Sequence, residues 1–562
     1  MKQRNVARRR LFAAAPGTRA LAAALGAAII STACADREGE PGHVDLYADL
    51  GDHHLEIATD AEAAQRYFDQ GLRLQYGFNH AEAIRAYEEA IRYDPSCAMC
   101  WWGIALASGP NINAEMEPES GRRAYAAIRK ARELSAGGPP KEVALIEALA
   151  SRYGPDGDAG RSALDSAYAG AMATVAEQYR GDADVLALYA ASLMNLSPWD
   201  YWTPELEPRA GTDEILTALA QALESDPDNP GACHYFIHAV EVAHPERAVA
   251  CADRLAALMP GAGHIVHMPG HIYIRVGRYA DAVRANEHAV HADEGYIADQ
   301  RPAGLYPTAY YPHNYHFMAF AAIMAGMSDK AVSAARKVAP KVPPEVAAQI
   351  HWIQNVVVFP SLTLLTFGRW DDVLDEPMPP SNLATATAMA HYARGTAFAA
   401  TGRRAEAGSA LAEIQRIATQ EGTRDAEGGA LDAGRRLNAV IAIAQHALAG
   451  EIALRSGQQK EAVAHFEAAA EIEDGMIYEE PPLWYYPIRH SLGRALLEAD
   501  RPADAEQAYR EDLERFPDNG WSLYGLAASL RAQGQEAEAE EVEDRFQAAW
   551  MEADVRITAS RF

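Results

Sequence analysis

Ten of the nineteen histidines in this 562-residue chain fall between positions 234 and 316, and their spacing suits coordination chemistry. In GHIVHMPGHIYIR (263–275), His264, His267 and His271 are offset by three and seven residues. At about 100° per residue, those offsets place all three rings in one narrow sector of a helix. Ile265, Val266, Ile272 and Tyr273 supply an apolar side beside them. HYFIHAVE (234–241) brings His234, His238 and Glu241 together in the same way, and YYPHNYHF (310–317) adds His313 and His316. Imidazole is the commonest protein metal ligand, and spacings of three or four residues set two of them on one helical face. A carboxylate such as Glu241 can complete a three-ligand set that leaves a coordination position open for water or substrate. Imidazoles with one carboxylate and no thiolate suit zinc, copper, iron or nickel. Eight candidates exceed the needs of one ion. Either two ions bind, or some histidines orient the others or serve as general bases.

Residues 276–289, VGRYADAVRANEHA, show which elements must position these side chains. Gly277, Tyr279, Ala282 and Ala289 match the turn and second helix of a tetratricopeptide repeat, a helix–turn–helix unit of about 34 residues. The phrase recurs as FNHAEAIRAYEEA (78–90), FGRWDDVL (367–374), TGRRAEAGSAL (401–411), SGQQKEAVAHFEAA (456–469), DRPADAEQAYREDL (500–513) and QGQEAEAEEVEDRF (533–546). Roughly eleven or twelve units fit between residues 59 and 550. Each buries its face only against its neighbours, which predicts an all-α, right-handed superhelical solenoid with first helices lining the concave side.

With Gly277 as the fifteenth position of its unit, Val266, Pro269, Gly270 and Tyr273 fall in the core. His264, His267 and His271 then project into the groove. With Gly326 in that role, Tyr315, Met318, Ala319 and Ala322 become core, and His313 and His316 match His264 and His267. In the preceding unit, a turn one residue shorter buries Cys233, Phe236, Ile237 and Val240; the unshifted register buries Tyr235 and Ala239 instead. Packed helices lie roughly 8–10 Å apart, so imidazoles on adjacent first helices can reach a common point.

A single histidine in such a groove reads most simply as a peptide contact; eight at recurring positions favour a metal. Weaker candidates surround them. Cys97 and Cys100 form one CxxC, open among a disulfide, a metal pair and two small packed residues, with packing preferred. Asn111 and Asn113 read as loop formers. Trp199-Asp200-Tyr201-Trp202 and Tyr310-Tyr311 are aromatic loop segments able to close over the groove, with core packing the simpler use. His288 and His291 lie on a second helix and should be solvated. No phosphate-binding glycine loop, nucleophile elbow or HExxH occurs in the sequence.

The N-terminus reads as an export signal over residues 1–33: a basic start, the apolar run ALAAALGAAII (20–30), then Ala33-Cys34. Arg9-Arg10-Leu11-Phe12 is similar to a twin-arginine signal, and Cys34 is the candidate lipidated residue, although Ser31 replaces the usual aliphatic. A linker (34–58) and a tail (551–562) flank the repeats. Removing the signal leaves 44 basic against 78 acidic residues, a net charge of −34. Such a surface repels nucleic acid and anionic lipid headgroups. The four cysteines besides Cys34 are too few and dispersed for a disulfide framework.

The stretches GFNHAEAIRAYEEAIRYDPSCAMCWWGIALASGPNIN (77–113), HYFIHAVE, PGAGHIVHMPGHIYIRVGRY (260–279), YYPHNYHF and residues 481–526 resemble a family of bacterial exported tetratricopeptide-repeat proteins. The resemblance spans most of the mature chain and implies the architecture and the weight of the histidine positions. It names no reaction, and Cys100 departs from the small residue expected there. The leading expectation is an exported solenoid of the periplasm or cell envelope, membrane-anchored if Cys34 is lipidated. Its groove would hold one or two copper, zinc or iron ions, as in a metal-dependent hydrolase or a copper or iron oxidoreductase. The alternatives are a scaffold taking a protein or peptide in the groove, and a metal storage or delivery protein.

Overall fold

The computed structural model describes residues 44–562 except 158–159, 303–305, 350–352 and 427–430. The export signal and Cys34 lie outside the described residues. Among the described residues, twelve helix pairs run from Glu62 to Ala549, with the short helices Pro344–Gln349 and Gln354–Val357 between the seventh and eighth, and the only β-type pairing is three isolated bridges in loops. The fold is an all-α superhelix of tetratricopeptide type.

Local chemistry explains the hairpins. Gly277, Gly326, Gly368, Gly402, Gly457 and Gly534 occupy the turns with φ between 67° and 81°, a region where a Cβ is penalised. Glycines also sit where helices cross closely. A Cβ on Gly493 or Gly525 would meet the Tyr509 ring at 2.2 Å, so one fully buried tyrosine packs against two bare helix backbones. At two turns the rule is broken: Asp500 takes the position of Gly277 with φ 58°, and Phe78 takes it with φ 56°. A bulky residue there is strained and calls for a reason.

Three pairs carry the histidines. The fifth is Pro230–Val240 with Val249–Leu258, the sixth is Gly263–His267 and Pro269–Arg275 with Tyr279–Gln300, and the seventh is Tyr311–Met324 with Ser328–Val338. The stretch read as one helix over 263–275 divides at Met268, because Pro269 has no N–H to give the preceding turn. The helix Pro230–Val240 is buried on every side, Tyr235 and Ala239 included. Burial therefore favours neither of the two registers.

The expectation that units touch only their neighbours is overturned. The last pair, Gly520–Ala532 with Glu536–Ala549, folds back on the seventh. Trp521 donates its indole N–H to the Ile323 carbonyl at 2.9 Å. The Asp554 carboxylate accepts from Ser328 N at 2.6 Å and Asp329 N at 2.9 Å, and Arg284 pairs with Glu552 at 2.7 Å. Residues 44–58 are extended chain anchored by buried Val44, Leu50, Leu55 and Ile57. They tie the first pair to the fifth, with Gly261 N donating to the Asp49 carbonyl at 2.7 Å. In the tail, the Arg561 guanidinium lies 3.8 Å from the centre of the Tyr486 ring. The superhelix curls until its ends clasp its middle, and its inner wall is filled there.

The cysteines also depart from expectation. Cys97 and Cys100 are joined as a disulfide, where two packed thiols were preferred. Cys233 and Cys251, both buried, bring their sulfurs to 2.7 Å. Cys233 and Cys251 remain free thiols, brought side by side because the hairpin turn closes the sequence gap between them.

Candidate metal centre

The fifth pair aims the first ligands. Asn229 caps the helix Pro230–Val240, its side chain accepting from Ala232 N at 2.8 Å, and Pro230 occupies the first turn, a favourable start for a helix. His234 and His238 then stand one turn apart, with Glu241 at the helix end. His264, His267 and His271 come from the sixth pair and His313 from the seventh. Three sets form: His234, His238 and His264; His267, His271 and His313; and His238, Glu241 and His271. Within each set the potential ligand atoms lie within 4.8 Å of one another.

In the first set, His234 Nδ1 lies 2.6 Å from the Tyr76 carbonyl, so Nδ1 carries the proton and Nε2 keeps its lone pair. His234 Nε2, His238 Nε2 and both His264 nitrogens are buried with no hydrogen-bond partner. Each such orphan costs about 1–3 kcal/mol. Burial, and then the neighbouring imidazoles, hold His234, His238 and His264 well below the usual histidine pKa. The rings are neutral, as metal binding requires.

In the second set, Asn286 accepts from His267 Nδ1 at 2.7 Å and is itself fixed by donating to the Ala282 carbonyl at 2.8 Å. His267 Nε2 is left facing His271 Nε2 at 2.8 Å. Burial, and then His271 and His313, keep His267 neutral. His271 differs: its Nδ1 meets Glu241 at 2.7 Å and also Glu480. Burial alone would lower it, but the two carboxylates outweigh burial and raise its pKa to about 10. Burial, and then Glu241, raise Glu480 above the ordinary carboxylate range.

An aromatic roof covers the sets. The Phe78 ring lies 4.5 Å from His234 and stacks on His264 at 5.5 Å and His238 at 6.1 Å. The unusual backbone at Phe78 thus delivers a ring where glycine would leave a gap. Trp199 stands edge-on to His238 at 5.0 Å, and Tyr310 covers His264 at 4.6 Å. Asn113 joins these two, accepting from the Trp199 indole at 3.2 Å and donating to the Tyr310 hydroxyl at 3.2 Å. One ring of each segment, Trp199 and Tyr310, closes over the groove, while Tyr201, Trp202 and Tyr311 pack in the core, the use preferred from the sequence.

The remaining candidates lie apart. His316 belongs to none of the three sets and packs edge-on against Phe359. Tyr311 donates to Glu294 at 3.0 Å beneath the Lys341 ammonium. Asn111 pairs with His80 at 3.1 Å. The disulfide of Cys97 and Cys100 contributes to none of the sets, and His288 and His291 are exposed, as expected. Phe78, Asn286 and Glu480 were missed. Phe78 had a signal, since it replaces the glycine of the recurring phrase; the other two had none in the repeat pattern.

No protein-family model matches the chain, and no curated protein does. Among solved structures, a human IFIT1 dimer with m7Gppp-AAAA is 14% identical, with a TM-score of 0.31 over 88% of this chain and 91% of that one. The Cut9–Hcn1 hetero-tetramer of the APC/C is 12% identical, with a TM-score of 0.29 over 88% and 75%. The P58(IPK) TPR domain is 15% identical, with a TM-score of 0.18 over 60% and 89%.

Proposed function

We propose that this chain is an exported metalloprotein, lipid-anchored through Cys34, whose solenoid encloses a transition-metal centre of copper, zinc or iron. The observation that carries the reading is the convergence of His234, His238 and His264, buried and neutral, with ring nitrogens that no protein group satisfies. A three-imidazole set leaves a coordination position open. When bound there, the ion would act as a Lewis acid toward water or a carrier of electrons toward oxygen. The residues around it have separable tasks. The Tyr76 carbonyl holds His234 in the tautomer that presents Nε2, and Phe78, Trp199 and Tyr310 exclude bulk water. We favour a metal-dependent enzyme acting on a small molecule. A peptide scaffold needs accessible groove side chains, whereas His234, His238, His264, His267 and His271 are at most 4% exposed.

Elemental analysis of untagged protein tests the reading. Stoichiometric metal is expected in the native chain and none in the double variant His264→Ala, His267→Ala. Native protein without metal after growth in metal-replete medium, and unable to take up zinc or copper afterwards, would return the chain to the scaffold reading. Turnover by the loaded protein separates an enzyme from a storage or delivery protein.

A further inference from the structure

We infer that the site holds two divalent transition-metal ions, and that Glu480, brought in from the far end of the chain, belongs to the second. The inference rests on the metal reading above and extends it. The sets His234, His238, His264 and His267, His271, His313 share no residue, so both can be complete at once. Glu241 connects them, lying 3.3 Å from His238 Nδ1 and 2.7 Å from His271 Nδ1.

Charge supplies the second argument. Glu241 and Glu480 are both buried, and both press on the one Nδ1 of His271. One nitrogen carries one proton, so it can satisfy one carboxylate. Apart from that one nitrogen, Glu241 Oε2 and both Glu480 oxygens have no hydrogen-bond partner. The Arg275 guanidinium acts on Glu480 through its charge, but its hydrogen bonds go to the carbonyls of Val242 and Arg515, each at 3.3 Å. Two buried carboxylates that must share one donor nitrogen leave acceptor oxygens unanswered, which is costly. One ion among the first three imidazoles offsets one carboxylate; an ion among His267, His271 and His313 offsets the other.

The orientation of the rings agrees. Asn286 fixes His267 with Nε2 presented. A carboxylate on His271 Nδ1 does the same for His271 Nε2, the carboxylate–histidine–metal pattern seen in metalloproteins. With an ion at Nε2, His271 would keep one proton, on Nδ1, for a carboxylate, so Glu480 would serve the second centre by holding that ring in place.

The test is a zinc chloride titration of the full metal-stripped chain by calorimetry, with elemental analysis after gel filtration. Two ions per chain are expected, with one remaining in Glu480→Gln and one in His313→Ala. His313 is only half-buried, so its variant guards against a folding failure in Glu480→Gln. A single ion in the native chain would overturn this inference and leave the metal reading intact; no ion would sink both. Two ions retained in folded Glu480→Gln would remove Glu480 from the site.

Discussion

His490 and the histidines around His264 are buried to the same degree within one solenoid, yet their surroundings are opposite. His490 is 2% exposed, and its Nε2 sits between Asp512 at 3.2 Å and Asn519 at 3.1 Å. Asp512 is held in turn by Asn519 Nδ2 at 2.9 Å and the Ser522 hydroxyl at 2.6 Å. That network uses what it buries. Around His264, ring nitrogens face one another with nothing between them. Burial therefore does not mark a ligand; buried lone pairs that nothing answers do.

Acid should separate the two regions most strongly. His234, His238, His264, His267 and His313 are held well below their unfolded pKa of about 6.5. Below pH 6.5 the unfolded chain takes up protons that the folded chain refuses, so stability falls as pH falls. Each such histidine contributes about 1.4 kcal/mol per pH unit. His271, raised to about 10, works the other way. Its stabilisation is complete below about 6.5 and fades as pH approaches 10, so it adds no slope in acid. Melting of metal-stripped protein between pH 7 and 5 should show a steep loss, shallower in His264→Phe. An equal slope in that variant would break the contrast.

A change to alanine at His490 is expected to cost about 1–3 kcal/mol, because it leaves the buried Asp512–Asn519 network one hydrogen bond short, while bound metal stays unchanged. Urea unfolding with parallel metal analysis checks both halves, and metal lost from folded His490→Ala would undo the distinction. The smallest effect is expected at Asn286. Its change to alanine frees the His267 ring and should lower metal affinity about 10- to 100-fold with little change in melting, as read by competition with a chromophoric chelator. Unchanged affinity would show that His267 needs no orienting partner.

Much of this was legible in the chain. Gly277, Tyr279 and Ala282 recur because a tight turn and a close crossing admit few residues, so the hairpins follow from local sequence. The histidine sets follow from helical spacing within a unit and stacking between adjacent units. Glu480 was hidden because nothing periodic links it to His271; only the curl of the whole superhelix brings them together. Asn286 lies on the helix behind His267, where an asparagine looks like any polar second-helix residue. The CxxC spacing of Cys97 and Cys100 fits several uses equally, and its chemistry is decided by side-chain geometry that spacing leaves open.

The clasp between the last pair and the seventh changes what kind of object this solenoid is. An open array of hairpins behaves as a spring: it lengthens by small rotations shared along its axis, and its ends can fray unit by unit. With Trp521 bonded to Ile323 and Asp554 capping Ser328, tension at the C-terminus runs into the seventh unit, not along the coil. The pitch is locked at the stretch that must keep six imidazoles in register, and the pairs between the seventh and the twelfth form a closed arc whose length is fixed by the need to bring Glu480 to His271.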